Sequence, residues 1–169
     1  MLINRWPDLM PLNLDSLVLR PMNSLDLVEV LKIEQAAQAS PWARLSFEES
    51  MTREDFCRVV EFDKKIVAYH ICSNVLDELH LLNVVCAVPM QGQGLGHFLM
   101  NDIMACAKLS NAKKVFLEVR AGNKVAQSLY EKWGFEEIAL RKKYYRASKP
   151  QGAREDAKVY CKHCSQIDS

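Results

Sequence analysis

Between Leu79 and Arg120 the chain reads as strand, glycine-rich turn, apolar helix and strand. The first strand runs from about Leu79 to Val88, the glycines are Gly92, Gly94 and Gly96, the helix continues to about Leu109, and Val115–Arg120 is a second strand. Such a βαβ passage predicts a parallel pair joined by a right-handed crossover. This unit constrains the fold most, because it places parallel strands inside a sheet whose other strands follow one another directly.

Those other strands are predicted from apolar runs and breakers. Leu17–Arg20 is a first strand, stopped by Pro21. Ser24 is placed to cap a helix to about Gln38, with Leu27, Val28, Leu31 and Ile33 or Glu34 at helical spacing. Phe47–Met51 is a short second helix after Pro41-Trp42. Phe56–Phe62 and Ile66–Cys72 form a hairpin across Asp63-Lys64-Lys65. Asn123 opens a further helix, Gly134 is placed to end it, and Phe135–Tyr145 and Ala157–Tyr160 are final strands around a polar loop, Arg146–Glu155. The expected class is α/β: a mixed, mostly antiparallel sheet with a central parallel βαβ unit and flanking helices. Residues 1–15 read as an N-terminal extension, 16–162 as a single domain and 163–169 as a C-terminal tail.

Length and charge exclude more than they specify. The 169 residues suffice for one core, and a net charge of +1 gives no general affinity for nucleic acid or anionic membranes. No apolar run reaches the roughly 18 residues of a membrane span, and the proline-broken start, MLINRWPDLMPLNLDS, is unlike a signal peptide. Six cysteines without an export signal predict reduced thiols and a cytoplasmic protein.

The glycine turn is suited to phosphate, since a glycine-rich loop feeding a helix presents backbone N–H groups and the positive end of a helix dipole. The dinucleotide pattern G-x-G-x-x-G fails, because counting from Gly92 or Gly94 ends on His97 or Leu99, and the Gly-Lys-Ser/Thr of a nucleotide-triphosphate loop is missing. What remains is Gln91-x-x-Gly94-x-Gly96, with the N–H groups of Gly92, Gln93, Gly94, Leu95, Gly96 and His97 free to hold a pyrophosphate; an unliganded turn is the alternative.

That turn, in this setting, resembles motif A of the GNAT acetyltransferases. The resemblance extends through IEQAAQASPW (33–42), VLDELHLLNV (75–84), QGQGLG (91–96), LEVRAGNKVAQSLYEKWGF (117–135), RKKYY (141–145) and REDA (154–157), in the order of the RimI branch. It implies acetyl-CoA as co-substrate, no metal, a monomer or weak dimer, and a protein or peptide acceptor with a free N-terminus, which in that branch is the N-terminal alanine of a small-subunit ribosomal protein. It also implies pantetheine pairing along Val84, Val85 and Cys86. Two positions depart from the pattern. Gly92 stands where a longer side chain, often Arg, is usual, and Pro89 comes one place late, so the resemblance implies weaker or adjusted binding of CoA.

The chemistry needs a proton acceptor and a proton donor. Glu118 interrupts the apolar strand Val115–Val119, and an ion pair with Arg120 on the same face is the ordinary explanation. Tyr130 shares a helix with Ala126 and Trp133, where a core aromatic is the ordinary explanation. By resemblance, Glu118 is the base and Tyr130, twelve residues on, is the acid that protonates the leaving thiolate. Asn123 is read as an N-cap and, by resemblance, as a CoA contact. Tyr144 and Tyr145 are assigned to the acceptor channel by the same route; Trp42 is equally suited to that wall or to the core. Cys86 raises a covalent acetyl-cysteine route, but no His or Asp is placed to activate it, which favours direct transfer in a ternary complex.

Two features stand outside the resemblance. Residues 141–162 carry eight Lys or Arg against Glu155 and Asp156, a stripe that suits RNA or simply solubilises an edge strand. Cys161-Lys162-His163-Cys164 is a lone C-x-x-C without further ligands in sequence, and reads as surface tail. The expected function is acetyl transfer to a protein N-terminus. The alternatives are transfer to a lysine or small amine, a non-catalytic acyl-CoA-binding module, and an RNA-binding protein.

Overall fold

A computed structural model of the chain describes residues 12–147 and 152–164. Residues 1–11 of the expected extension, Lys149 with its neighbours in the polar loop, and the tail beyond Cys164 lie outside the described residues. The elements are β1 (Val18–Pro21), α1 (Leu27–Ala37), α2 (Arg44–Thr52), β2 (Phe56–Phe62), β3 (Lys65–Val75), β4 (Glu78–Cys86), α3 (Leu95–Leu109), β5 (Lys114–Arg120), α4 (Lys124–Lys132), β6 (Glu136–Tyr145) and β7 (Glu155–His163). They build one sheet in the order β1-β2-β3-β4-β5-β7-β6. Among the described strands only β4 and β5 run parallel, joined by α3; all other neighbours are antiparallel.

β3 shows how the layers form. Ile66–Cys72 is an unbroken buried run, the pattern of a strand covered on both faces. Successive side chains of a strand point to opposite faces. Accordingly Tyr69 meets Glu34 of α1 and Phe47 of α2 on one face, while His70 meets Asp102 of α3, 2.6 Å away, on the other. The pair of buried His70 and partly buried Asp102 is completed by Cys72, 3.5 Å from the other ring nitrogen, and by Arg58, 4.0 Å from the carboxylate. Cys106 lies close enough to make a metal-like group with His70 and Asp102, but Arg58 already supplies a positive charge there. Met100 and Ile103 of α3 and Tyr130 of α4 share a second core with Leu117, Val119 and Tyr160.

Several boundaries differ from expectation for local reasons. Asn23, not Ser24, opens the first helical segment. Its side chain accepts from Leu25 N–H at 2.9 Å while Asp26 accepts from Asn23 N–H at 2.8 Å, a reciprocal cap. Arg20 then holds Asp26 and Glu61, each at 2.8 Å, tying together β1, the turn that enters α1, and β2. The β2–β3 hairpin closes on Asp63 and Lys64, both at positive φ, the conformation a tight two-residue turn requires. β4 ends at Cys86 rather than Val88, because Pro89 cannot donate to a ladder and Val88–Met90 turns into a 3₁₀ segment. β7 continues past Tyr160, so Cys161 is buried in the sheet, and Cys164 N–H donates to Lys113 C=O at 2.8 Å. All six cysteines are free.

Candidate active site

The site arises where two parallel strands part. β4 and β5 pair only from Glu78↔Lys114 to Leu81↔Leu117. One extra β4 residue, Leu82, is inserted between the partners of Ile71 and Cys72. This bulge bends β4 away from β5, leaving a cleft of about 160 Å³ lined by both strands, α1, Trp42 and α4.

β4 presents a free edge to this cleft. Ala87 N–H bonds to Val67 C=O at 2.8 Å, and the register continues through Cys86↔Ala68, Val85↔Tyr69 and Val84↔His70. Bonded positions alternate along an antiparallel ladder, so Val85 turns its backbone groups to β3, whereas Val84 and Cys86 turn theirs to the parted side. Gln91 donates to Cys86 C=O at 3.1 Å, and Gln93 donates to Pro89 C=O at 3.3 Å and accepts from Leu12 N–H at 3.2 Å. These bonds fix the turn that follows. Gly92 and Gly94 have φ of +74° and +91°, a region L side chains avoid. Gly96 lets α3 approach α4, since a Cβ there would meet Leu129 at 3.0 Å. The first N–H groups of α3, at Leu95, Gly96 and His97, have no partner inside the helix. His97 accepts from Trp133 at 2.9 Å, which locks the turn to α4.

Glu118 is the first β5 residue beyond the last parallel pair, and its side chain is 28% exposed at the cleft. The expected partner is corrected: Glu118 pairs with Arg141 of β6, Oε1 to Nη1 3.2 Å. Arg120 bonds instead to Glu155 at 3.0 Å and Ser40 at 2.8 Å, and its guanidinium stacks 4.4 Å from the Tyr145 ring centre. Tyr130 faces the same cleft, 5% exposed and packed on Phe135 and Tyr160. Burial, then the charges of its neighbours, push its phenol well above the ordinary value. It therefore remains an acid at neutral pH. Burial pushes the Cys86 thiol up to about 11, so it is not a ready nucleophile.

Of the other sequence-predicted residues, Val84, Asn123, Trp42 and Tyr145 also line the cleft. Asn123 accepts from Ala126 N–H at 3.1 Å, the N-cap expected of it. Burial, and next the Glu118 charge, push Tyr145 up to about 12. Tyr144 is not in the cleft wall; it lies exposed on β6 beside Glu118, whose carboxylate raises the pKa of its phenol. A larger hollow of about 390 Å³ between α1 and Val88–Pro89 contains none of these residues.

Sequence reasoning passed over Glu34. This carboxylate is 1% exposed at the base of the cleft. It accepts from Trp42 N–H at 2.8 Å, Asn83 at 3.3 Å and the Tyr69 hydroxyl, so it holds the loop carrying Trp42 against β4. The signal was a glutamate on the apolar stripe of α1, one turn from Leu31 and Val30.

A parted parallel pair, a glycine turn at a helix start, and a glutamate and a buried tyrosine in one cleft are the arrangement of an acyl-CoA-dependent transferase of the GNAT type. Residues 26–135 match the model of the acetyltransferase (GNAT) family, and the chain belongs to that family. Among curated relatives, the [ribosomal protein bS18]-alanine N-acetyltransferase of Haemophilus influenzae is 32% identical over 142 residues, covering 84% of this chain and 95% of the relative. The Escherichia coli K12 enzyme of the same description is 33% identical over 136 residues, 80% of this chain and 90% of the relative. The crystal structure of the ribosomal-protein-S18-alanine N-acetyltransferase from Escherichia coli superimposes with a TM-score of 0.82 at 30% identity, covering 90% and 96% of the two chains. Ard1 from Thermoplasma volcanium shares the fold, with a TM-score of 0.82 at 20% identity over 89% and 99%. Among the described residues, no helix is long and apolar enough to cross a membrane.

Proposed function

We propose that this chain acetylates the N-terminal alanine of ribosomal protein bS18, by direct transfer from acetyl-CoA in a ternary complex. The observation that carries the reading is the parting of β4 and β5 beyond Leu81↔Leu117, which exposes Glu118 and Tyr130 to one cleft. Relatives above 30% identity over most of both chains support the acceptor.

Acetyl-CoA supplies the activated acyl group. Its pantetheine amides match the outward backbone groups of Val84 and Cys86, as an added strand would. The N–H groups from Gly92 to His97 offer donors to its pyrophosphate, with Gln91 and Gln93 holding the turn and Asn123 at the start of α4 completing the wall. An N-terminal amine has a pKa of about 7.7–8.0, so Glu118 need remove only one accessible proton. Tyr130, buried and protonated, gives its proton to the departing sulfur. Trp42 and Tyr145 flank the acceptor's entry, and Tyr144 sits at its outer rim. In this reading the protein works in the cytoplasm, alone or as a weak dimer.

Mass spectrometry of N-terminal peptides after incubation with acetyl-CoA tests the acceptor. The bS18 peptide is expected to gain one acetyl group on its α-amine. Acetylation confined to lysines or small amines would overturn the reading.

A further inference from the structure

The cleft carries two arginines with opposite attachments. Arg120 is 15% exposed and committed to Glu155, Ser40 and the Tyr145 ring. Arg141 is 54% exposed and reaches the cleft only through Glu118, at 3.2 Å. The backbone of β6 is shaped to deliver it. In a regular strand, residues three apart point to opposite faces, yet Arg141 and Tyr144 both meet Glu118. They do so because the β6–β7 register shifts between Arg141 and Tyr145, where Lys143 takes a φ of +52° and its N–H bonds to Asp156 at 2.7 Å. The kink also sets the Arg141 guanidinium 5.3 Å from the Tyr144 ring centre.

We propose that Arg141 is an exchangeable counter-ion for Glu118. It holds the carboxylate while no acceptor is bound, and the ammonium of an arriving N-terminus takes its place. This rests on the reading of Glu118 as the group that meets the acceptor amine. The exchange follows from charge and exposure. With Arg141 and Glu118 both partly exposed, the pair forms with little desolvation and is weak enough for another cation to replace. Displaced, Arg141 has solvent and the Tyr144 face to rest on. After transfer the product is a neutral amide, which has no claim on Glu118. Arg141 then returns to Glu118, which readies the cleft for the next acceptor. Arg141 is in this sense a positioning residue that holds Glu118 between turnovers and that a cation, not the acetylated product, displaces.

The test compares two decapeptides with the N-terminal sequence of bS18 from the same organism, one with a free α-amine and one N-acetylated. Dissociation constants are measured with saturating CoA for wild type, Arg141→Gln, Glu118→Gln and the double variant. Arg141→Gln is expected to tighten the free-amine peptide about two- to fivefold, the scale of a half-exposed pair. It is expected to leave the acetylated peptide unchanged, and to have no effect when Glu118 is already Gln. Weaker binding of the free-amine peptide, equal changes for both peptides, or an Arg141 effect that persists without Glu118 would each overturn the exchange. Full turnover by Glu118→Gln would overturn the base and leave the exchange to be judged by the two peptides. A wild-type protein that binds neither peptide overturns both readings.

Discussion

β3 and β6 are nearly equal in length, eleven and ten residues, and differ in almost everything else. β3 is buried from Ile66 to Cys72 and touches helices on both faces, whereas β6 is exposed from Glu136 to Tyr144 and forms one margin of the sheet. The chemistry is spread between them unequally. The β3 side positions β4 through a bulge, with the buried Glu34 bonded to Asn83, while the β6 side reaches the cleft with Tyr145 and, through Glu118, with Arg141. Packed strands fix the edge proposed for the co-substrate, and an exposed, charged margin borders the side proposed for the acceptor.

The contrast is broken most severely in the core. Ile71→Ala is expected to cost about 2–5 kcal/mol of stability, whereas Leu140→Ala on β6 is expected to cost no more than about 0.5 kcal/mol; denaturant titration of both variants checks this. Next come Glu118 and Tyr130, the proposed base and acid. Glu118→Gln and Tyr130→Phe are each expected to lower kcat about 10²-fold or more with CoA still bound, and steady-state kinetics with a thermal-shift assay for CoA separates the two effects. Gly94→Ala places a Cβ at a φ of +91°, expected to cost about 1–2 kcal/mol and to weaken CoA binding in calorimetry more than acceptor binding. The smallest effect is expected at Asp26, which does not line the cleft. Its bond to Arg20 holds the Asp26 carboxyl below the usual carboxylate range. That stabilisation is present above the unfolded value near 3.8 and disappears as pH falls through the lower folded value. Asp26→Asn should therefore lower the thermal midpoint at neutral pH and flatten its decline below about pH 4.

Features set by near neighbours in the chain were legible before the fold was known. The βαβ unit, the Asn123 cap and the left-handed Gly134 after α4 follow from residues a few places apart. Glu118 stood out because a carboxylate in an apolar strand needs a reason. The Leu82 bulge did not stand out, since no glycine or proline marks it and it exists only as a mismatch with β3. Arg141 was counted in a basic stripe, and the partner it finds lies on a strand that is not its sheet neighbour. Glu34 looked like one more helical position because Tyr69, Asn83 and Trp42 are brought to it from three different segments. Long-range register, rather than local propensity, separates what was read from what was missed.

The four residue pairs between Glu78↔Lys114 and Leu81↔Leu117 are the only direct β4–β5 ladder in a seven-stranded sheet. Mechanically, that ladder is a zip fastened at one end. The β1–β4 and β5–β7–β6 halves are buttoned together there and lie unfastened above it, with α3 and α4 as the hinge plate on one side. An extended ligand laid along Val84 and Cys86 closes the upper teeth, so that filling the cleft and completing the sheet are the same event.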